Sequence, residues 1–236
     1  MSKNKCVVIT GGTKGIGRAL VERFAEDGFT IVTCSRSMSD LEQVKKVIEE
    51  RYVCLVHIKQ ADLSLHEDIL SFGEFVLQLD LPIAVLINNT GVFLPGSIID
   101  EEDGNLEMMM NTNLYSAYHL TRKLVPSMLE QKKGHIFSIS SIAGITAYAS
   151  GGSYSITKYA MQGFTKCLRE ELKEKGIRVT AVLPGPTYTA SWEGVDLPEE
   201  RFMKSEDVAS VVYNAYSLSQ QTVVEEIVLR PQLGDL

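Results

Sequence analysis

The chain has 236 residues, of which 44% are hydrophobic and 22% charged, which excludes a disordered protein. Its net charge of −7 argues against a nucleic-acid or anionic-membrane surface, because either needs clustered Lys and Arg. The first apolar run is too short for a signal peptide, and none approaches the ~20 apolar residues that span a bilayer. We therefore expect one cytoplasmic domain over 1–236, with no nucleic-acid or membrane partner.

The four cysteines are scattered along the chain, at Cys6, Cys34, Cys54 and Cys167. They form no C-x-x-C pair and have no neighbouring histidine cluster, which disfavours a disulfide framework and a zinc site. We expect reduced, mostly buried thiols and no metal.

Short apolar, β-branched runs alternate with longer amphipathic segments along the chain. The runs predict strands at 6–10, 30–34, 54–60, 84–89, 134–140, 177–184 and 222–229. The segments between them predict helices at 17–28, 39–51, 66–79, 107–131 and 154–176. This alternation predicts an α/β fold, a doubly wound parallel β-sheet with helices on both faces. The weakly periodic stretch 186–204 is predicted to be a loop or lid over the site.

A glycine-rich segment, TGGTKGIGRAL, follows the first predicted strand and opens a helix. Gly11, Gly15 and Gly17 are spaced as T-G-x-x-x-G-x-G, which differs from the usual G-x-G-x-x-G. Glycines let the backbone approach a pyrophosphate, whose charge is met by the N–H groups at the positive end of the helix. The segment therefore predicts a dinucleotide site.

The second predicted strand ends in CSRS, where dinucleotide sites commonly place an acidic residue on the ribose 2′-hydroxyl. Here the position offers Ser35 and Arg36 and no carboxylate. A guanidinium suits a 2′-phosphate through charge and forked hydrogen bonds, and Lys14 in the glycine loop adds a second cation. The sequence therefore predicts NADP(H) as the cofactor.

Polar residues also follow the third and fourth predicted strands. QADLS places Asp62 where an adenine amino group could donate to it, and INNTG puts Asn89, Thr90 and Gly91 at the carboxyl edge of the sheet. Asn88 and Asn89 can equally be turn-forming residues that satisfy backbone groups.

The stretch SYSITKYA places Tyr154 and Lys158 about one helical turn apart, on one face. HIFSISSIAG leaves Ser140 and Ser141 at the same edge of the sheet. A phenol has a pKa near 10, and an adjacent ammonium favours phenolate and lowers that pKa toward the working range. Taken alone, the pair is equally an incidental feature of an amphipathic helix. The methionines at 108–110 are assigned to core or interface packing rather than to a ligand site.

The whole chain resembles the classical short-chain dehydrogenase/reductase family, in its motifs and in their order. The matching motifs are TGGTKGIG, NNTG, NTNL, the serine of ISSIAG, YSITK and PGPTYT. The resemblance implies an NADP(H)-dependent oxidoreductase that reduces a ketone or diketone carbonyl to an alcohol. Thr90 departs from the family's more usual alanine in N-N-A-G.

The resemblance also implies roles for individual residues. Tyr154 would donate a proton to the carbonyl oxygen, Lys158 would lower its pKa and hold the nicotinamide ribose, and Ser141 would polarise the carbonyl. Asn113 would hold a water in a proton relay. The cofactor-binding residues would be Gly11, Thr13, Lys14, Gly15, Ile16, Gly17, Ser35, Arg36, Asp62, Leu63, Asn89, Thr90, Gly91, Tyr154, Lys158, Pro184, Gly185 and Thr187.

Within the family, the tail TVVEEIVLRPQLGDL and the stretch PGPTYTASWEGVD resemble bacterial sepiapterin-reductase-like members. That group implies a small-molecule carbonyl substrate with a pterin ring, which the carboxylate of Asp196 or Glu193 would bind. The rival is a 3-oxoacyl-(acyl-carrier-protein) reductase, which would dock an acidic carrier through Arg122, Lys123, Lys132 and Lys133. A non-catalytic NADP(H)-binding module is the alternative of another class. The family also implies a homodimer or homotetramer built through helices at about 105–131 and 154–175.

Overall fold

The structure, a computed structural model, describes residues 5–189 and 197–236. Within them, seven strands form one fully parallel sheet in the order β3-β2-β1-β4-β5-β6-β7. The strands are β1 (Cys6–Thr10), β2 (Thr30–Ser35), β3 (Val56–Gln60), β4 (Ile83–Asn88), β5 (Gly134–Ile139), β6 (Ile177–Pro184) and β7 (Glu226–Leu229). The doubly wound fold predicted from the sequence is confirmed.

Helices cover both faces of this sheet. They are α1 (Gly15–Glu26), α2 (Met38–Arg51), α3 (His66–Gln78), α4 (Asn105–Met110), α5 (Ser116–Glu130), α6 (Gly152–Leu172) and α7 (Ser205–Ser217). A π-helical segment, Asn111–Tyr115, joins α4 to α5. None of the helices in the described ranges has both the length and the apolar character that crossing a bilayer would require.

Alternate residues of the central strand β1 enter two separate cores. Val7 and Ile9 pack with side chains of α1, α2 and α7, whereas Cys6 and Val8 pack with side chains of α3 and α5. Successive side chains of a strand point to opposite faces, so a strand covered on both sides must be apolar throughout. This requirement explains why the strands were readable as continuous apolar runs.

Two elements differ from the prediction. Helix α7 was not predicted, although Val208, Ala209, Val212 and Ala215 recur on its buried face at helical spacing and were a usable signal. Strand β7 begins at Glu226 rather than at 222.

The thiols also differ in part from the prediction. Cys6 and Cys34 are buried, but Cys54 is partly exposed and Cys167 is exposed. All four are unpaired, and burial raises the pKa of Cys6 and of Cys34 to about 12. The buried thiols are therefore protonated and unreactive at neutral pH.

The topology defines one switch point. From β1 the chain winds outward through β2 and β3, and from β4 it winds in the opposite direction through β5, β6 and β7. A crevice opens outside the carboxyl ends of β1 and β4 in sheets of this kind, and ligands bind there.

Candidate active site

The glycine loop leaves β1 directly at the switch point. Gly11 and Gly15 have positive φ angles of 68° and 51°, which favour glycine. A Cβ on Gly17 would lie 2.1 Å from the Gly11 carbonyl oxygen, so the loop packs backbone against backbone. The segment is therefore shaped so that only glycines fit, as close approach of the backbone to a phosphate requires.

Thr10 and Asn89 join the two sides of the switch point. The Thr10 hydroxyl accepts hydrogen bonds from the Asn89 and Thr90 backbone N–H groups, both at 2.9 Å. The Asn89 side chain donates to the Thr10 carbonyl at 2.8 Å, and Asn88 donates to the Thr121 hydroxyl at 3.0 Å. Both asparagines therefore bond to residues distant in the chain rather than within a local turn, and Asn89 in addition borders the cleft.

A cleft of about 670 Å³ lies at this edge of the sheet. Every cofactor-binding residue predicted between Gly11 and Gly91 lines it. The sequence analysis missed other lining residues: Cys34, Ser37, Asp40, Ala61, Ser64, Val92, Met108, Thr112 and Thr189. Ser37, Ala61 and Ser64 follow β2 and β3 directly, so their place in the chain was a usable signal.

Met108 and Thr189 reach the cleft from more distant parts of the chain. Met108 lies in α4 and borders the cleft, whereas Met109 is fully buried, as its assignment to packing requires. Thr189 lies against the glycine loop, because a Cβ on Gly15 would be 2.9 Å from its methyl carbon. Only the folded chain brings residue 189 to residue 15.

Arg36, which directly follows β2, and Lys14 both line the cleft, and the sequence predicts a 2′-phosphate at this corner. Asp40, in the first turn of α2, also lines this corner, and its carboxylate lies 3.6 Å from Lys14 Nζ. The Asp40 backbone N–H donates to the Ser37 hydroxyl at 3.2 Å, which fixes the start of the helix. The corner thus holds two cations and one carboxylate that was not predicted.

Asn113 lies in the π-helical segment and is fully buried. Its Oδ1 accepts from the Val92 N–H at 2.7 Å, and its Nδ2 donates to the Val92 carbonyl at 2.9 Å and to the Thr157 hydroxyl at 3.0 Å. The Thr157 hydroxyl in turn donates to the Tyr154 carbonyl at 2.8 Å. Asn113 therefore ties the segment after β4 to the start of α6.

Ser141, Tyr154 and Lys158 come together at the carboxyl edge. The Tyr154 hydroxyl is hydrogen-bonded to Ser141, and Lys158 Nζ is 5.5 Å from the centroid of the Tyr154 ring. Lys158 Nζ donates to the Ile139 carbonyl at 3.2 Å. Ser140 instead donates to the Lys158 carbonyl at 3.3 Å, so Ser141 is the serine that contacts the phenol.

The three side chains adjoin the cleft. A Cβ on Gly91, which lines the cleft, would lie 3.5 Å from Lys158 Nζ and 3.3 Å from Asn113 Oδ1. A molecule in the cleft that reached Gly91 would therefore be next to the lysine amine.

Burial dominates the titration of the phenol and the amine. It raises the pKa of Tyr154 to about 12, and the hydrogen bond from Ser141 only partly opposes it. It lowers the pKa of Lys158 to about 8. Desolvation of the phenolate is the largest effect, and the predicted lowering of this pKa by the Lys158 ammonium and an oxidised nicotinamide stays a prediction. Tyr154 carries its proton at neutral pH.

The binding of the nicotinamide by the segment after β6 stays a prediction. Gly185 donates its N–H to the Leu229 carbonyl at 2.8 Å, and the Thr187 hydroxyl donates to the Gly185 carbonyl at 3.0 Å. Pro184, Gly185 and Thr187 do not appear in the cleft lining, where Thr189 stands instead. Glu193 and Asp196, the predicted pterin-gripping residues, lie outside the described residues.

Two loops beside Tyr154 are joined to each other. The Gly96 N–H donates to the Ser150 carbonyl at 3.1 Å, and the Ser153 hydroxyl donates to the Glu101 carboxylate. The Phe93 ring packs edge-on against the Tyr154 ring, with 4.8 Å between centroids. Loops 92–104 and 143–153 therefore form one connected wall next to the phenol.

A parallel sheet with a glycine loop at its switch point and a Ser–Tyr–Lys group beside it defines a dinucleotide-dependent oxidoreductase. A family model described as short chain dehydrogenase matches residues 5–200. The chain belongs to the short-chain dehydrogenase family and is an oxidoreductase, as predicted.

Relatives and solved structures cover nearly the whole chain. It is 34% identical to a sepiapterin reductase of Chlorobaculum tepidum, over 98% of this chain and 97% of the relative. A metagenomic short-chain oxidoreductase solved with NADP superposes with a TM-score of 0.86 at 27% identity, covering 98% of both chains. L-Sorbose reductase of Gluconobacter frateurii, solved with NADPH and L-sorbose, gives 0.90 at 25% identity and the same coverage.

Proposed function

We propose that the protein is an NADPH-dependent carbonyl reductase that converts a ketone or diketone to an alcohol. One observation carries the proposal: Ser141, Tyr154 and Lys158 meet beside a cleft whose far corner holds Arg36. A proton donor for the carbonyl oxygen thus adjoins, at Gly91, the cleft that the phosphate-binding cation Arg36 lines.

The cofactor is NADP(H). The glycine loop fits a pyrophosphate, because a side chain at Gly17 would collide with the loop backbone, and Arg36 fits a 2′-phosphate. The related structures that contain NADP or NADPH agree with this choice. When bound, NADPH supplies the hydride that the carbonyl carbon receives.

Tyr154 gives the proton. Its pKa of about 12 keeps the phenol protonated at neutral pH, the form that carbonyl reduction needs. Ser141, already bonded to the phenol, donates to the same carbonyl oxygen and stabilises the charge that develops there. Lys158 holds a positive charge beside the phenol below about pH 8, and this charge stabilises the phenolate left after proton transfer.

We propose that Asn113 acts by positioning the start of α6, which carries Tyr154. Its amide fixes both the Val92 backbone and Thr157, and Thr157 bonds to the Tyr154 carbonyl. The water that Asn113 was predicted to hold stays a prediction.

The substrate is proposed to be a ketone next to a second carbonyl or a heterocycle, as in sepiapterin. The similarity to the Chlorobaculum tepidum sepiapterin reductase supports this class. Residues 186–204 are proposed to close over it, and the exposed side chains of α5 and α6, among them Tyr118 and Tyr159, to form the subunit contact of a homodimer or homotetramer.

The test is NADPH consumption with four carbonyl compounds: sepiapterin, a simple vicinal diketone, an acetoacetyl thioester and an aldehyde, with NADH in parallel. We expect the highest kcat/KM with sepiapterin or the diketone, and with NADPH. Preference for the thioester would favour the carrier-protein reductase instead. No turnover of any compound, despite tight NADPH binding, would favour the non-catalytic module.

The carrier-protein alternative relied on four cations. Arg122 donates to the Tyr118 hydroxyl at 2.8 Å and Lys123 pairs with Glu74 at 2.6 Å. Lys132 and Lys133 lie further along the chain and line a second cavity. Two of the four cations thus have partners within the chain, which gives the alternative less support.

A further inference from the structure

A second cavity, of about 430 Å³, lies at the opposite edge of the sheet, where β6 begins. Ile177 at this edge and Pro184 at the catalytic edge are separated by about 23 Å of strand. Five cationic side chains line the cavity, and none of its described lining residues carries a carboxylate. The five are Lys132, Lys133, Arg169, Lys173 and Arg178. Such a cluster is unexpected in a chain of net charge −7.

Backbone packing brings these cations together. Gly176 has a φ of +79°, and a Cβ there would lie 2.4 Å from the Lys132 carbonyl oxygen. The chain that follows α5 is therefore pressed against the chain that follows α6. Lys132 and Lys133 after the first helix consequently face the same cavity as Lys173 after the second.

The conformation of Lys132 is also unusual. Its φ of +48° lies in the left-handed region, at a position just after a helix where glycine is the ordinary choice. The chain thus holds a long cationic side chain at a position where glycine would be less strained.

The five charges are only partly neutralised. Arg169 pairs with Glu225 and Lys173 with Glu170. Lys132 and Lys133 form no ion pair with any residue in the described ranges.

Arg178 forms part of the cavity wall. It is only 7% exposed, and its guanidinium donates to the carbonyls of Tyr216 at 2.7 Å and Leu218 at 3.2 Å. These neutral partners fix the position of the side chain without cancelling its charge. The wall therefore carries a fixed positive charge, and the exposed Lys132 and Lys133 line the same cavity.

We propose that this cavity is a binding site for a small phosphate anion with two or more negative charges, of the diphosphate class. Ammonium and guanidinium groups bind phosphate oxygens by charge-assisted hydrogen bonds. A multivalent anion would also relieve the mutual repulsion of the cations, which is stronger in a cavity than in free solvent.

The experiment titrates inorganic pyrophosphate into the full-length protein saturated with NADP⁺, by calorimetry, with sodium chloride of equal ionic strength as the blank. Saturation with NADP⁺ removes the phosphate-binding corner of the other cleft from the measurement. We expect one pyrophosphate site. Lys132→Gly and Lys133→Gln should each weaken it about tenfold, the loss expected for one charge-assisted bond.

Lys132→Gly shows whether a loss of affinity comes from the lost amine or from damage to the fold. Glycine suits the positive φ at this position, so the melting temperature should not fall. Arg122→Gln, which removes an exposed cation of α5 outside the cavity, is the matched control and should leave affinity unchanged. The proposal is overturned if NADP⁺-saturated protein does not bind pyrophosphate. It is equally overturned if Arg122→Gln weakens binding as much as the cavity variants, since the effect would then be general surface charge.

Discussion

Lys14 and Lys158 both stand at the carboxyl edge of the sheet, yet 72% of the Lys14 side chain is exposed and Lys158 is 4% exposed. The nucleotide side is shaped by glycine backbone and carries its charges in solvent. The catalytic side is shaped by buried side chains whose bonds run from Val92 through Asn113 to Thr157. Charges in solvent are screened and partly replaceable, whereas buried groups are not. Substitutions on the catalytic side should therefore have the larger effects.

The largest effect is expected for Tyr154→Phe. Removing the proton donor should lower kcat about 10³-fold, because a general acid contributes on this scale. NADPH affinity should be nearly unchanged, since the ring and its contact with Phe93 remain. The measurement combines steady-state kinetics with a fluorescence titration of NADPH. Turnover close to wild type would contradict the assigned mechanism.

Lys158→Met tests the cost of burying the amine. The folded-state pKa of about 8 lies below the ordinary value of 10.5, so the charged form destabilises the fold below pH 8. At pH 7 the variant should be more stable by about 3 kcal/mol and have little activity. This advantage should shrink as the pH rises from about 8 to 10.5. Urea unfolding of the variant and the wild type at pH 7 and pH 10 measures this difference in unfolding free energy. An equal difference at the two pH values would contradict the lowered pKa of Lys158.

Arg36→Asp should have a smaller effect, confined to the cofactor. It removes an attraction for the 2′-phosphate and adds a repulsion, which should raise the KM for NADPH about thirtyfold and leave kcat for the bound complex nearly intact. The KM for NADH should fall or stay the same. Arg122→Asp is the control with the same change of charge. An unchanged preference for NADPH would contradict the role of Arg36.

The smallest effect is expected for Asp40→Asn, which should strengthen NADPH binding, whereas Arg36→Asp should weaken it. The Asp40 carboxylate pairs with Lys14 at 3.6 Å in an exposed setting and competes with a phosphate for it. Its removal should tighten NADPH binding about threefold, the scale of a surface ion pair. The comparison of NADPH and NADH affinities checks this, because only the cofactor with the 2′-phosphate should gain.

Residues of the cleft were predicted correctly where they follow the end of a strand. Gly11, Arg36 and Asp62 come within two residues of the ends of β1, β2 and β3, and parallel strands must bring such residues to one edge. Tyr154 and Lys158 were found because one helical turn separates them.

Other features of the site depend on tertiary structure and were not predicted from the sequence. Thr189 reaches Gly15 only because the chain after β6 folds back across the edge, and no local pattern records this. The high pKa of Tyr154 arises from burial, which an analysis of neighbouring charges in the sequence does not include. Helix α7 is different, because Val208, Val212 and Ala215 recur at helical spacing and the sequence pattern alone could have shown it.

The paired loops beside Tyr154 have a consequence for evolution and for engineering. The Gly96–Ser150 and Glu101–Ser153 bonds make loops 92–104 and 143–153 mechanically dependent on each other. An insertion in one loop would displace the other together with the start of α6. Substrate range should therefore diverge by coordinated changes in both loops, and libraries that randomise one loop alone should yield mostly inactive variants.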